Sequence, residues 1–281
     1  MAKKSRVKRK SGSKNWLKYL IWIGSAAAIL SLILPIFAIS TPKPTPTPSP
    51  TRPPVKKAAI VDQIAVSQPN PEFISTASAY LRNAGFDVDV YQGKDVTVEF
   101  YRTLPSMGYK WIVFRTHSTN EVAEANLPGK PVYLFTGEPH SKDRYINEQL
   151  SLRVIRGKML YQNSPWFFAV GPEFVRQSMT GRFDDTLIII SGCQSLNTLD
   201  LAQAFVERGA SAVVGWDDWV DLTHNDKATL YLLFALSVER LTIKEAVEET
   251  MAQIGPDPTY KSVLTYYPPE RGNETLWTIS P

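Results

Sequence analysis

Two residues of this 281-residue chain carry side chains that together could break an acyl bond: Cys193, its single cysteine, and His117, one of three histidines. A thiolate attacks a carbonyl carbon to form a thioester, and an imidazole then hands the departing amine its proton, a contribution of about 100-fold to 10,000-fold in rate. Each residue follows a short apolar run. Residues 111–114 (Trp-Ile-Val-Phe) lead through Arg115 and Thr116 to His117 and Ser118, and residues 187–190 (Leu-Ile-Ile-Ile) lead through Ser191 and Gly192 to Cys193. Runs of that length between polar residues are expected as buried strands, and in an open parallel sheet catalytic groups gather beyond the carboxyl ends of strands. As neighbours, the two strands would end about 4.8 Å apart, so imidazole and thiol would face one rim. A helix starting beyond the cysteine and a nearby imidazolium would both depress its pKa from about 8.5. The plainer reading of Cys193 is a small apolar side chain in the core, and with one cysteine no intramolecular disulfide can form.

The elements that must hold this pair read as alternating strand and helix. An apolar run at 58–66 is followed by Asn70 and Pro71, an N-cap and first helical residue, then by Phe73, Ile74, Ala77 and Leu81 on one stripe and Gly85 as the stop. A second strand is expected at 86–91, an amphipathic segment at 95–104, and strand-like runs at 131–135, 153–162 and 166–170, the last two as a hairpin. Beyond Cys193, residues 197–200 look like a capping box, Leu199, Ala202, Phe205 and Val206 repeat at helical spacing, and Gly209 is placed as a C-cap. A strand at 211–214 follows. The rest is expected as helices over 226–240 and from Thr242, with Glu245 as its box partner, to Gly255. The fold class is therefore α/β, a mostly parallel sheet with helices on both faces.

In front of this domain, placed at 57–281, the composition changes twice. Residues 20–39 hold no charge, long enough at about 1.5 Å per residue to cross a hydrocarbon core of about 30 Å, so one transmembrane helix is expected over 19–40. A tail, 1–18, carries eight lysines and arginines and no acid, which puts the N-terminus in the cytosol and the domain outside the cell. A cleavable signal ending near Ala38 and Ser40 is the competing reading. Residues 41–56 form a proline- and threonine-rich linker suited to an extended stalk. Removing the tail's 8 basic residues from the chain's 31 leaves 23 against 27 acids, so the remainder is mildly acidic and no nucleic-acid partner is expected. The membrane, through the N-terminal helix, is the partner that the charge implies.

The two strand-end segments resemble the caspase-like cysteine peptidases, the group that includes caspases, gingipains, clostripain, legumain and separase. Their pattern is an apolar block, His-Gly, a spacer, a second apolar block, and Ala-Cys or a close variant. Residues 192–216 (GCQSLNTLDLAQAFVERGASAVVGW) look like the helix and strand that follow the cysteine in that group. The resemblance spans about residues 57–255 in element order, with two short specific motifs. It implies a caspase-like fold, a peptide or protein substrate and no cofactor. Cys193 would be the nucleophile, His117 the general acid and base, and the backbone N–H groups of Ser118 and Cys193 the oxyanion holders. Two departures stand out: Ser118 where the group has glycine, and Gly192 where alanine is common. Members of the group specific for arginine or lysine place acid in the primary pocket. The loop with Asp217, Asp218 and Asp221 could supply it, with Trp216 and Trp219 as walls, although solvated carboxylates and packed aromatics fit the same residues.

Other readings stay open. Cys193 could pair with His224 in a hydrolase or amidotransferase, the same cysteine could serve a transpeptidase or amidohydrolase, or the domain could be a catalytically silent extracellular binding module. His140 lies in the irregular middle, and Asn273 opens a glycosylation sequon. Three scattered histidines and one cysteine show no metal-ligand spacing, and phosphate-binding glycine loops are absent.

Overall fold

The computed structural model describes residues 56–120, 129–159 and 163–279. The expected tail, membrane span and nearly all of the linker lie outside the described residues, among which no helix is long and apolar enough to cross a membrane.

In chain order the elements are β1 (Lys56–Asp62), a 3-10 turn (Gln63–Val66), α1 (Pro71–Asn83), β2 (Phe86–Gln92), α2 (Val98–Thr103), β3 (Tyr109–Arg115), β4 (Ser118–Thr119), β5 (Tyr133–Pro139), α3 (Ile146–Leu150), β6 (Val154–Lys158) and β7 (Trp166–Val170). Then come α4 (Pro172–Gln177), β8 (Thr186–Ser191), α5 (Asp200–Glu207), β9 (Ala210–Trp216), α6 (Leu222–Ser237), α7 (Ile243–Gln253), β10 (Leu264–Tyr267) and α8 (Leu276–Ile279). The main sheet runs β10-β9-β8-β3-β1-β2, parallel except for β10, which lies antiparallel to β9. That strand corrects the expectation of an all-helical C-terminal part. A second, antiparallel sheet, β4-β5-β7-β6, is inserted in the chain between β3 and β8, which are neighbours in the first.

Pleat alternation divides the core. Trp111, Val113, Leu187 and Ile189 face one side, where Phe73, Ala77 and Leu81 of α1 join Leu232 of α6 and Ala246 of α7. Ile112, Phe114, Ile188 and Ile190 face the other, against α4, α5 and the small sheet. All six residues of β8 are buried, as expected of a central strand covered on both faces. Each fully buried large aliphatic contributes about 1.5–3 kcal/mol, which makes β3 and β8 a rigid base for what lies beyond them.

Local signals set several helix ends. The Asn70 side chain accepts from the Phe73 N–H, Thr242 and Glu245 form a reciprocal capping box, and Gly85 and Gly255 end their helices with φ of +90° and +84°. Two expectations need correction. No capping box forms at 197–200: α5 starts at Asp200 without a side-chain cap, because Asn197 instead bonds Asn120 and the Asp217 carbonyl. Helix α6 begins at Leu222, ahead of the expected Asp226, because Asp221 accepts from the N–H groups of Thr223 and His224.

Candidate active site

β3 and β8 pair in register, Phe114 with Ile190 and Arg115 with Ser191. His117 and Cys193 therefore each stand two residues beyond the same rung, and the Thr116 N–H still bonds the Ser191 carbonyl across the strands at 3.1 Å. Both residues line one cleft of about 400 Å³.

The His117 backbone is clamped on two sides. Its N–H donates to Gln63 Oε1 at 3.0 Å, and its carbonyl accepts from the Phe135 N–H at 3.0 Å. Gln63 is fully buried and donates through Nε2 to the Thr136 carbonyl, so one amide ties the end of β1, the end of β3 and β5 together. The imidazole packs edge-on to Phe135, and its Nε2 is buried without a hydrogen-bond partner. Burial, aided by the Arg115 charge, lowers the His117 pKa to about 4.

Cys193 is half-buried, and its thiol donates to the Val220 carbonyl at 3.4 Å. Burial raises its pKa, and the Asp257 and Asp218 charges push the same way. This corrects the expected depression, for two physical reasons. The turn after Cys193 delays α5 to Asp200, too far for its dipole to act, and the imidazole that lines the same cleft is held neutral. Gln194 takes the left-handed φ of +55°, which costs a non-glycine residue about 1–2 kcal/mol, and is fixed there by its N–H to the Asp218 carbonyl.

Ser118 and Gly192, the two residues that differ from the caspase-like pattern, meet in space. A Cβ on Gly192 would stand 2.5 Å from the Thr116 carbonyl oxygen and 2.6 Å from Ser118 Oγ. That hydroxyl donates to the Cys193 carbonyl, and Ser118 needs no left-handed backbone, so the serine is accommodated without strain.

Beneath the pair, fully buried Arg115 forks onto Asp226 at 2.7 and 2.9 Å and reaches Asp62 at 2.9 Å, with Asn70 also bonded to Asp226. Neither this network nor the Gln63 clamp was anticipated. Gln63 had a usable signal, since it follows the end of a strand adjacent to β3.

Of the proposed pocket residues, three belong elsewhere. Trp216 is fully buried and donates to Asn225; Asp217 accepts from the Val263 N–H and Asp218 from the Trp219 N–H. None of the three lines the cleft. Each of the two carboxylates serves a backbone N–H of the loop that needs an acceptor, and Trp216 belongs to the core. Asp221 and Trp219 do line it, together with Val220, Tyr260, Phe135, Trp166 and residues 155–159. His224 lies outside the lining, its Nε2 bonded to the Gly255 carbonyl, and His140 bonds Gln149, so the Cys193–His224 pairing finds no support. Among the described residues no cluster of three or more His, Cys, Asp or Glu is placed to hold a metal ion.

Compared with protein-family models the chain matches none, and no curated protein matches it.

Proposed function

We propose that the domain is a caspase-like cysteine peptidase that cleaves peptide bonds through Cys193 and His117. The observation that supports this is their equal placement beyond paired strands, on one cleft. The thiol swings off the Val220 carbonyl, gives its proton to His117 Nε2 and forms an S–C bond, while the carbonyl π electrons move to oxygen. Backbone N–H groups of Ser118 and Cys193 receive that oxyanion, a contribution of about 2.7–4 kcal/mol per donor. The carbonyl re-forms as the C–N bond breaks and the amine leaves with the proton from His117; water, giving a proton to His117, then attacks the thioester carbon, and the C–S bond breaks to release the carboxylic acid while that proton passes from His117 to the sulfur.

Both partners rest neutral here. The desolvated imidazole has no partner at Nε2 and is suited to accept a proton only when charge develops during the attack. Residues 19–40 fix the domain to the outside of a membrane in this reading, with 41–56 as its stalk.

A thiol-directed acyl probe with a short peptide tests the chemistry. We expect labelling of the wild type, none of Cys193→Ala, and at least about 100-fold slower labelling of His117→Ala. Equal rates for wild type and His117→Ala would end the reading. One observation favours a second reading, a silent binding domain: the resting thiol bonds Val220, not His117. A Cys193→Ala protein with every biological output intact would establish it.

A further inference from the structure

Five consecutive residues of the cleft lining, 155–159, belong to β6 and its exit. Side chains alternate faces along a strand, so a wall made of neighbours in sequence is the strand's edge, where backbone is on offer. In the order β4-β5-β7-β6 this strand is bonded to β7 alone among the described residues. Such an edge presents N–H and C=O groups to any extended chain beside it.

The two faces beside this edge differ in chemistry. Ile155 and Met159 pack with Phe135 on an apolar face. Between them Gly157 keeps the backbone bare, since a Cβ there would meet the Phe135 ring at 2.4 Å. Arg156 and Lys158 emerge on the opposite face, both exposed, with the Arg156 guanidinium 4.8 Å over the Trp166 ring. Acid for a basic substrate is scarce: Asp217 and Asp218 do not line the cleft, and Asp221 Oδ1 caps α6.

We infer that the β6 edge is the docking strand for substrate: an extended peptide adds to it, with alternate side chains apolar against Phe135, Ile155 and Met159 and acidic against Lys158. The pleat makes that alternation necessary, because successive residues of an added strand point to opposite faces. The choice of a peptide as occupant rests on the peptidase reading of the same cleft. Strand addition supplies sequence-independent affinity through the main chain, and the two faces supply selection.

The experiment is binding of a fluorescent hexapeptide of alternating leucine and glutamate to the full chain carrying Cys193→Ala, in detergent micelles. We expect N-methylation of amides of one parity to weaken binding about ten-fold or more and of the other parity to leave it unchanged. Replacing glutamate by lysine should weaken it about ten-fold. Lys158→Glu, an exposed change, should reverse that preference. No binding, equal effects of both parities, or equal or better binding of the lysine peptide would overturn the inference. The short acyl probe on wild-type protein separates the two readings. Labelling without a parity effect leaves the peptidase and removes the docking strand, whereas parity-dependent binding without labelling keeps the docking strand and removes the peptidase.

Discussion

The Ser118 hydroxyl stands where a side chain on Gly192 would have to go, 2.6 Å from the position of a Cβ there, and from that place it donates to the Cys193 carbonyl. Residues beyond two different strands thus share one volume. Read against the His-Gly and Ala-Cys pattern that the chain resembles, the small and the larger residue have changed sides. The space between the two strand ends is filled from the histidine side.

Gly192→Ala should therefore destabilise the protein by about 1–3 kcal/mol through overpacking. Adding Ser118→Gly removes the contact with the hydroxyl but leaves the one with the Thr116 carbonyl oxygen, so it should return part of that loss, giving a coupling of at least about 0.5 kcal/mol in a double-mutant cycle. Urea unfolding of the four proteins reads it, and additive losses would show that the two residues do not share the space.

The raised thiol and lowered imidazole make a distinct pH signature. Only thiolate reacts with iodoacetamide, so with Cys193 above the ordinary thiol value the alkylation rate should climb about ten-fold per pH unit and still be rising at about pH 9. With His117 titrating near 4, no step should appear between about pH 5 and 8. A plateau across neutral pH would reveal a preformed thiolate–imidazolium pair instead.

Asp217 and Asp218 serve the loop backbone, not the cleft. Asp217→Asn and Asp218→Asn should leave the order of preference among peptide probes unchanged, since neither carboxylate lines the cleft, although the loss of the Asp218 charge should lower the thiol pKa and raise every rate together. Loss of a basic-residue preference in either variant would return that carboxylate to the pocket.

Arg115 should be costly to remove. Arg115→Met leaves Asp62 and Asp226 buried without their countercharge, and breaking such a network typically costs about 3–5 kcal/mol. Chemical denaturation measures it. A loss below about 1 kcal/mol would mean that water reaches the carboxylates.

The strands that carry the pair were readable because apolar runs as short as 111–114 and 187–190, fully buried on both faces, have few other places to go. Caps written in adjacent residues, Asn70-Pro71 and Thr242 with Glu245, were equally plain. What was obscure depends on partners distant in the chain. Asn197 has the composition of a cap but spends both ends of its amide on Asn120 and Asp217. Asp221 reads as a pocket acid, yet one of its oxygens starts a helix. Trp216 sits on the last rung of β9, where the pleat turns it into the core. The titration shifts follow from burial, which no local pattern encodes. Likewise β6 and β7 were legible as a hairpin, whereas their joining with β4 and β5 into a separate sheet was not.

That separate sheet has a further consequence. His117 and Cys193 follow strands of the large sheet, while the β6 wall of their cleft belongs to an insertion in the connection between β3 and β8. If the peptidase proposal holds, residues of the insertion can be exchanged to change what the cleft accepts while the strands under Cys193 and His117 stay as they are, in the way a lathe accepts a new chuck without a new motor.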